Sequence, residues 1–278
     1  MLQYRRQIGS VRRMAYKTVL LDIADHIATI TLNRPEAYNS FTRDMTNEFV
    51  EIWKRLREDD DVRVIILRAA PSPAFCTGAD TKGGPGITPY RTPESRLKPW
   101  SLDDPAESLG AKSNKVWKPL IVAVSGMCAG GAFYFLNEAD IIICSEESTF
   151  FDPHVNFGMV SACEPVGAMA RMPLSEVQRM VLLGNHERIS AETALRISLV
   201  TEVLPADQLW ERARHLAALI AEKHPVAIEG SVRAMWEALS LPHREAMENA
   251  LKYTQIGNPI STATVDRKTA PKAKWWLR

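Results

Sequence analysis

The sequence predicts an α/β domain that gives way to an all-helical C-terminal region. Short apolar strand patterns alternate with amphipathic helix patterns from Thr18 to Leu204. The run from Val62 to Leu67 is nearly continuously β-branched, as in strands buried on both faces. From Ala206 onward only helical patterns remain. With 278 residues and 46% hydrophobic content, the chain can bury one large core and carry a smaller appendage.

Two strand patterns open the domain, Thr18 to Ala24 and Ile27 to Leu32, and the Asp25-His26 pair between them suits a tight hairpin turn. Asn33-Arg34-Pro35 breaks the second strand. Ser40 or Thr42 can cap a helix reaching about Glu58, with Met45, Phe49, Ile52, Trp53 and Leu56 at helical spacing. The acidic turn Asp59-Asp60-Asp61 leads into the Val62 to Leu67 strand. Leu120 to Val124 reads as another strand, and Gly130 to about Glu138 as a helix entered through glycines. Ile141 to Cys144 is a further strand. Helices follow at Ser175 to Leu183 and Ala191 to Ile197, then a last strand at Val200 to Leu204. The C-terminal helices are Ala206 to Lys223, Val226 to Leu239 and Arg244 to Gln255. Between Lys82 and Lys118 lies a long stretch rich in Pro, Gly and Ser, with a basic-aromatic segment at Arg96 to Trp100. Connections of that length are more often functional than structural.

Composition narrows the partners. The net charge is +1, from 34 basic and 33 acidic residues, which leaves no electrostatic footprint for nucleic acid. No window has the length and apolarity of a membrane span. Cys76, Cys128, Cys144 and Cys163 show neither CxxC spacing nor accompanying histidines. They read as buried thiols in a reducing cytoplasm rather than as metal ligands or disulfides. Residues 1–13 carry Arg5, Arg6, Arg12 and Arg13 without an acidic residue or a secretory apolar core, and are expected to form a disordered extension ahead of a core spanning 14–205.

Two glycine-containing segments each follow a strand. They are Ala74-Phe75-Cys76-Thr77-Gly78-Ala79-Asp80 and Ser125-Gly126-Met127-Cys128-Ala129-Gly130-Gly131-Ala132. Such turns expose backbone N–H groups, and the second opens a helix whose positive dipole end adds to them. Two convergent donors can hold the negative oxygen that develops on a thioester carbonyl. Taken singly, each segment is equally a plain glycine turn, and no GxGxxG dinucleotide fingerprint is present.

Taken together, the segments resemble the enoyl-CoA hydratase (crotonase) superfamily. Asn33-Arg34-Pro35-Glu36-Ala37-Tyr38-Asn39-Ser40 is similar to its NRPEALNAL segment, and Phe75 to Asp80 to its FCAGAD segment. Lys118 to Gly126 resembles its KPVIAAVNG strand, Ala139 to Ile143 its CDI strand, and Arg188 to Ala194 its RISAxEA helix start. The resemblance runs in order from about Tyr16 to about Lys223. It implies a spiral of ββα repeats, a C-terminal helical oligomerisation region at 206–278, and assembly as a homotrimer or a dimer of trimers. It implies an acyl-CoA thioester as partner, with coenzyme A entering as part of the substrate and no separate cofactor or metal. The oxyanion-hole amides fall on Ala79 and Gly131. Substrate would pass Tyr38, Thr77, Gly78, Asp80, Met127, Gly130 and Pro153.

The chain departs from the family pattern where hydratases carry two glutamates. Those positions here are Tyr134 and His154, the latter within Phe151-Asp152-Pro153-His154. Imidazole titrates near neutrality and serves as acid or base. Asp152, close in sequence, is a candidate to orient His154, although neighbouring strand positions alternate faces. Tyr134 either donates from its phenol or fills the pocket beside Phe133 and Phe135. The family's PGAGG turn is replaced by Val160-Ser161-Ala162-Cys163-Glu164-Pro165-Val166-Gly167. Glu164 thus places a carboxylate where glycine is usual, either as a base or as a solvated cap. The leading expectation is an enzyme that stabilises a thioester enolate, catalysing hydratase, isomerase or lyase chemistry of fatty-acid type. The alternatives are a β-dicarbonyl or thioester hydrolase of the same fold and a non-catalytic CoA-binding subunit.

Overall fold

A computed structural model describes residues 11–83, 105–265 and 275–277. Two compact units divide the chain, residues 1–221 and 222–278.

Among the described residues of the first unit, two sheets carry the architecture. The larger contains β1 (Arg12–Ala15), β2 (Val19–Ala24), β3 (Ile27–Leu32), β4 (Val64–Ala69), β6 (Leu120–Val124), β8 (Ile141–Ser145) and β11 (Glu202–Leu204), in the spatial order 1-2-3-4-6-8-11. Strands β1, β2 and β3 pair antiparallel, and from β3 onward every pairing is parallel. The smaller sheet contains β5 (Ala74–Cys76), β7 (Met127–Ala129), β9 (Thr149–Phe151) and β10 (Ile189–Ser190), in the order 10-9-7-5. Strands β5, β7 and β9 run parallel, and β10 closes the edge antiparallel. Strands β5, β7 and β9 follow β4, β6 and β8, each by a short turn, so the chain winds as a spiral of paired strands and helices.

The hairpin between β2 and β3 turns on Asp25 and His26, both at positive φ (51° and 66°), residue types that tolerate the left-handed region better than branched ones. Helix α1 (Arg43–Glu58) starts at Thr42, whose hydroxyl accepts from the Met45 amide at 3.3 Å. Its buried face comprises Met45, Thr46, Phe49, Ile52, Trp53 and Leu56, which includes all five residues of the predicted stripe. Trp53 donates from its indole to Leu109 O of the short helix α2 (Ala106–Leu109) at 3.2 Å. Helix α3 (Phe133–Asn137) follows a 3-10 turn at Gly130–Ala132, so the segment predicted as one helix from Gly130 begins more tightly wound. Helices α4 (Cys163–Ala168), α5 (Leu174–Leu183), α6 (Ala191–Arg196) and α7 (Ala206–Ala221) complete the unit.

Three expectations need correction. Residues 12 and 13 are not part of a disordered extension. They pair with Ile23 and Asp22 in β1, and Arg13 Nε donates to Asp22 at 2.7 Å. Residues 1–10 lie outside the described residues. The core does not end at 205 either, because α7 belongs to the first unit. Its Leu209, Ala213, Ala217 and Ala221 pack on Val64, Ile66, Ile121, Ala123 and Ile143 of the larger sheet. Small side chains at four-residue spacing let the helix axis approach the sheet closely. Finally, Cys163 is exposed, whereas Cys76, Cys128 and Cys144 are buried as expected. Burial pushes the Cys76 and Cys144 thiols up to about 12.

The described part of the predicted irregular stretch from Lys82 to Lys118 is anchored by buried charge. Lys112 Nζ lies 2.7 Å from Asp140 Oδ2, which also accepts from Leu120 N at 2.7 Å. Glu138 accepts from the amides of Lys112 and Ser113. The Arg96 to Trp100 segment lies outside the described residues.

The second unit contains α8 (Pro225–Ala238) and α9 (His243–Thr262), packed against each other. Glu237 of α8 accepts from Asn249 at 2.8 Å and Tyr253 at 2.6 Å on α9. Helix α9 runs beyond the predicted end at Gln255. Among the described residues no helix is long and apolar enough to cross a membrane.

Candidate active site

The site residues stand just past the C-terminal ends of three neighbouring strands of the smaller sheet. Parallel pairing sets Cys76 beside Cys128, and Cys128 and Ala129 beside Phe150 and Phe151. Gly78, Gly130 and Asp152 therefore leave the sheet along one edge.

Gly78 has φ +83°, and a Cβ there would stand 2.8 Å from Gly131 N and 3.4 Å from Gly131 Cα. No residue with a side chain fits that approach in that conformation. Phe41 N donates to Gly78 O and Asp80 N donates to Phe41 O, both at 2.9 Å. This bridge directs the Ala79 amide away from the Phe41 backbone. The Phe41 ring closes over Gly131, leaving no space for a Cβ there, and meets the Tyr134 ring edge-on at 6.5 Å.

The Asn33 to Ser40 segment is held against this loop. Arg34 donates to Ser40 O at 2.6 Å and to Asp80 Oδ2 at 2.8 Å. Hydrogen bonding from Arg34 holds the Asp80 carboxyl below its ordinary value, against the opposing effect of burial. Asn39 is fully buried. Its side chain accepts from Arg34 N and donates to Ala74 O, each at 3.0 Å. Tyr38 stands 49% exposed at φ +53°. Asp80 is thus occupied in joining two loops, while Tyr38 is open to a ligand. Thr77 and Met127 are half-buried beside the glycines.

His154 lies across from Gly130. A Cβ on Gly130 would stand 3.4 Å from His154 Cε1 and from Pro153 Cδ. The chain leaves β9 at Phe151 and enters a 3-10 turn at His154–Phe157. Asp152 and His154, two residues apart, turn toward each other at this exit from the strand. Asp152 Oδ1 accepts from His154 N at 3.0 Å and lies 2.6 Å from His154 Nδ1, and Oδ2 accepts from Ser161 Oγ at 2.7 Å. On the other side of the ring, Nε2 is 3.8 Å from Glu164 Oε1. Glu164, at the start of α4, is 7% exposed and is also hydrogen-bonded to the Tyr134 side chain on α3. Asn137 ties the two helices by donating to Glu164 O at 2.9 Å.

This surrounding sets the charge of the group. The Asp152 hydrogen bond lifts the His154 imidazole above its ordinary value of 6.5. Burial opposes the shift, and the Asp152 and Glu164 charges reinforce it. Burial pushes the Glu164 carboxyl above its ordinary value, more than hydrogen bonds and the His154 charge pull it down. Burial also acts to raise Asp152, but the bonds from His154 and Ser161 win and hold it below its ordinary value. The arrangement is a buried carboxyl held below its ordinary range, an imidazole that holds its proton more tightly than usual, and a second carboxyl next to it.

The structure brings together His154, Tyr134 and Glu164, and packs Gly130 and Pro153 against the histidine. Ser161 was not among the predicted site residues, and Asp152 was named only as a candidate to orient His154. The signal for Asp152 was its place two residues before His154 at a strand end, where an Asx-type turn is common.

A profile of the enoyl-CoA hydratase/isomerase family matches residues 22–267. The chain belongs to that family. Relatives include an (E)-benzylidenesuccinyl-CoA hydratase from Thauera aromatica, 33% identical over 92% of this chain and 94% of the relative. Another is the enoyl-CoA hydratase EchA19 of Mycobacterium tuberculosis, 28% identical over 91% of this chain and 92% of that one. Among solved structures, an enoyl-CoA hydratase/isomerase from Mycobacterium paratuberculosis superimposes with a TM-score of 0.79 at 33% identity, covering 87% of this chain and 91% of the other. The fold is that of the crotonases, and the protein is an enoyl-CoA hydratase/isomerase family enzyme acting in acyl-CoA metabolism.

Proposed function

We propose that this family member adds water across the double bond of an α,β-unsaturated acyl-CoA thioester and catalyses the reverse elimination. The observation that carries this reading is the pairing of His154 Nε2 with Glu164 Oε1 at 3.8 Å, on the Gly130 side of the glycine edge. Hydration needs one group to take a proton from water and another to supply one to the substrate α-carbon. Two titratable groups that hold one proton between them suffice for both steps. They take the place of the two glutamates the family usually has, where this chain has Tyr134 and His154. The amides of Ala79 and Gly131 serve as the oxyanion hole, stabilising the thioester enolate formed between the two transfers. Tyr134 keeps Glu164 aligned through its phenol.

The name of the Thauera relative suggests a substrate with an aryl group and a second carboxyl, so benzylidenesuccinyl-CoA belongs beside simple enoyl-CoA thioesters in the assay. Exposed Phe157, Val160 and Leu182 support the expected homotrimer or dimer of trimers, which light scattering would register.

The test incubates the protein with enoyl-, β-hydroxyacyl- and β-ketoacyl-CoA thioesters in deuterated water, followed by mass spectrometry. Water addition with one deuterium at the α-carbon, lost in His154→Ala, is the expected result. Turnover unchanged in that variant would refute the proton-handling pair. Deuterium uptake with a shifted double bond would assign isomerisation instead, and release of free CoA would assign hydrolysis.

A further inference from the structure

Behind the proton-handling pair stands a group that cannot reach the substrate. Asp152 is completely buried, and both of its carboxylate oxygens are engaged by its own neighbourhood. Oδ1 accepts from the His154 amide and faces ring Nδ1 at 2.6 Å, while Oδ2 accepts from Ser161 Oγ at 2.7 Å. An ionised carboxylate can only accept, so the ring nitrogen that faces it carries a proton in every charge state of the imidazole. The other nitrogen, Nε2, is left to gain and lose the second proton. It is the one turned toward Glu164.

We infer that Asp152, braced by Ser161, is a positioning residue that fixes His154 in its Nδ1–H form, making Nε2 the acid of the reaction and Glu164 the base. This deepens the reading above and rests on it. During hydration, water loses a proton to the Glu164 carboxylate as its oxygen bonds to the substrate β-carbon. The C=C π pair moves toward the thioester, whose oxygen takes up the charge. The enolate then collapses, and the α-carbon takes the proton from Nε2–H of the imidazolium. His154 is left neutral with Nδ1–H still facing Asp152, and Glu164 is left protonated. Return of that proton from Glu164 to Nε2 restores the starting state. Atoms and charge balance without a further reactant.

The groups that face His154 are Asp152 from the end of β9, Glu164 from α4 with Tyr134 of α3 behind it, and the uncharged Gly130 and Pro153. With Glu164 as base and the imidazolium as acid, turnover falls at low pH as Glu164 is protonated and at high pH as His154 loses its proton.

The test uses Asp152→Asn and Ser161→Ala in the full chain, assayed for hydration across pH, with ¹⁵N-histidine NMR of the ligand-free protein as a second readout. Asp152→Asn is expected to move the alkaline limb to lower pH and to lower kcat on the order of 100-fold with KM little changed. Ser161→Ala should shift the same limb less. NMR of the parent should show the Nδ1–H form above the alkaline limb, and Asp152→Asn should mix the two tautomers. A role confined to folding would scale activity down equally at all pH values and leave the limb in place. An unmoved limb in a folded Asp152→Asn variant, or an Nε2–H tautomer in the parent spectrum, would overturn the inference. The parent spectrum decides even if the variant does not fold. Turnover surviving His154→Ala would instead overturn the proton pair itself.

Discussion

Alanine at Gly78 and alanine at Gly131 should damage the protein in different ways, and the structure says how. A Cβ at Gly78 meets backbone, with Gly131 N at 2.8 Å and Ala129 O at 3.1 Å, at a φ of +83°. Neither neighbour can rotate aside. The left-handed conformation costs about 1–2 kcal/mol for a residue with a Cβ, and overpacking adds about 1–3 kcal/mol, so Gly78→Ala should destabilise by about 2–5 kcal/mol. A Cβ at Gly131 meets the Phe41 ring instead, with Cε1 at 2.7 Å and Cζ at 2.8 Å. That clash alone costs about 1–3 kcal/mol, and shortening Phe41 relieves it. Phe41→Ala, which by itself should cost about 3–5 kcal/mol, should therefore cost markedly less in the Gly131→Ala background and the full amount in the Gly78→Ala background. Urea unfolding of the single and double variants gives both cycles. Hydration assays on the same set should show Gly78→Ala losing kcat by about 100-fold, since displacing a donor of the proposed oxyanion hole by about an ångström is that costly. A Gly78→Ala protein as stable and active as the parent would refute the packing argument. So would suppression by Phe41→Ala that is equal in the two backgrounds.

Three further outcomes follow from the charged groups. The His154 imidazole binds its proton more tightly folded than unfolded, so its stabilisation is complete below its ordinary 6.5 and is lost as pH rises through its folded value. Melting temperature should fall across that window in the parent and not in His154→Asn. Glu164 has the opposite effect: its raised value makes ionisation a cost that disappears as pH falls through it, so Glu164→Gln should melt at or above the parent's temperature at neutral pH. Lys112 is nearly buried beside Asp140, and burial draws its ammonium below the ordinary lysine range. Lys112→Met removes the ammonium that pairs with Asp140 in this buried position and should cost about 3–5 kcal/mol in urea unfolding. A loss under about 1 kcal/mol would mean that water reaches the pair as it does at a surface.

Much of the fold could be read from the sequence because its larger elements satisfy strong local rules. Helix α1 has a capping threonine and a five-residue apolar stripe, and the β2–β3 hairpin has two residues suited to positive φ. Leu120 to Val124 was legible to the residue because a strand buried on both faces leaves an unbroken apolar run. The smaller sheet was not visible residue by residue. Its strands are two or three residues long, too short for a period of two to show, and only the resemblance to a family implied them. Strand β1 hid among arginines, because an exposed edge strand need not be apolar. Helix α7 was assigned to the wrong unit because its buried face is mostly alanine, and alanine reads as neutral in a hydrophobicity pattern although it decides how closely a helix can pack.

The sequence marked Ala79, Gly131, Tyr134, His154 and Glu164 by position as candidates, and did not give the connections among them. Asp152 was named only as a candidate to orient His154, and the 2.6 Å contact between them forms where the chain leaves β9 for a 3-10 turn. The contact of Tyr134 with Glu164 depends on the packing of α3 on α4, which no local pattern encodes.

The parallel register of β5, β7 and β9 has a consequence for how this chemistry can change. Each strand ends at nearly the same height, so the segments beginning at Gly78, Gly130 and Asp152 emerge side by side like keys on a manual. What comes after each strand can be exchanged while the strand below keeps its neighbours, since its own side chains are already committed to the core. New acids, bases or walls can then be tried one key at a time on an unchanged instrument. A histidine and an aspartate on one key, and a tyrosine on the next, make one such setting.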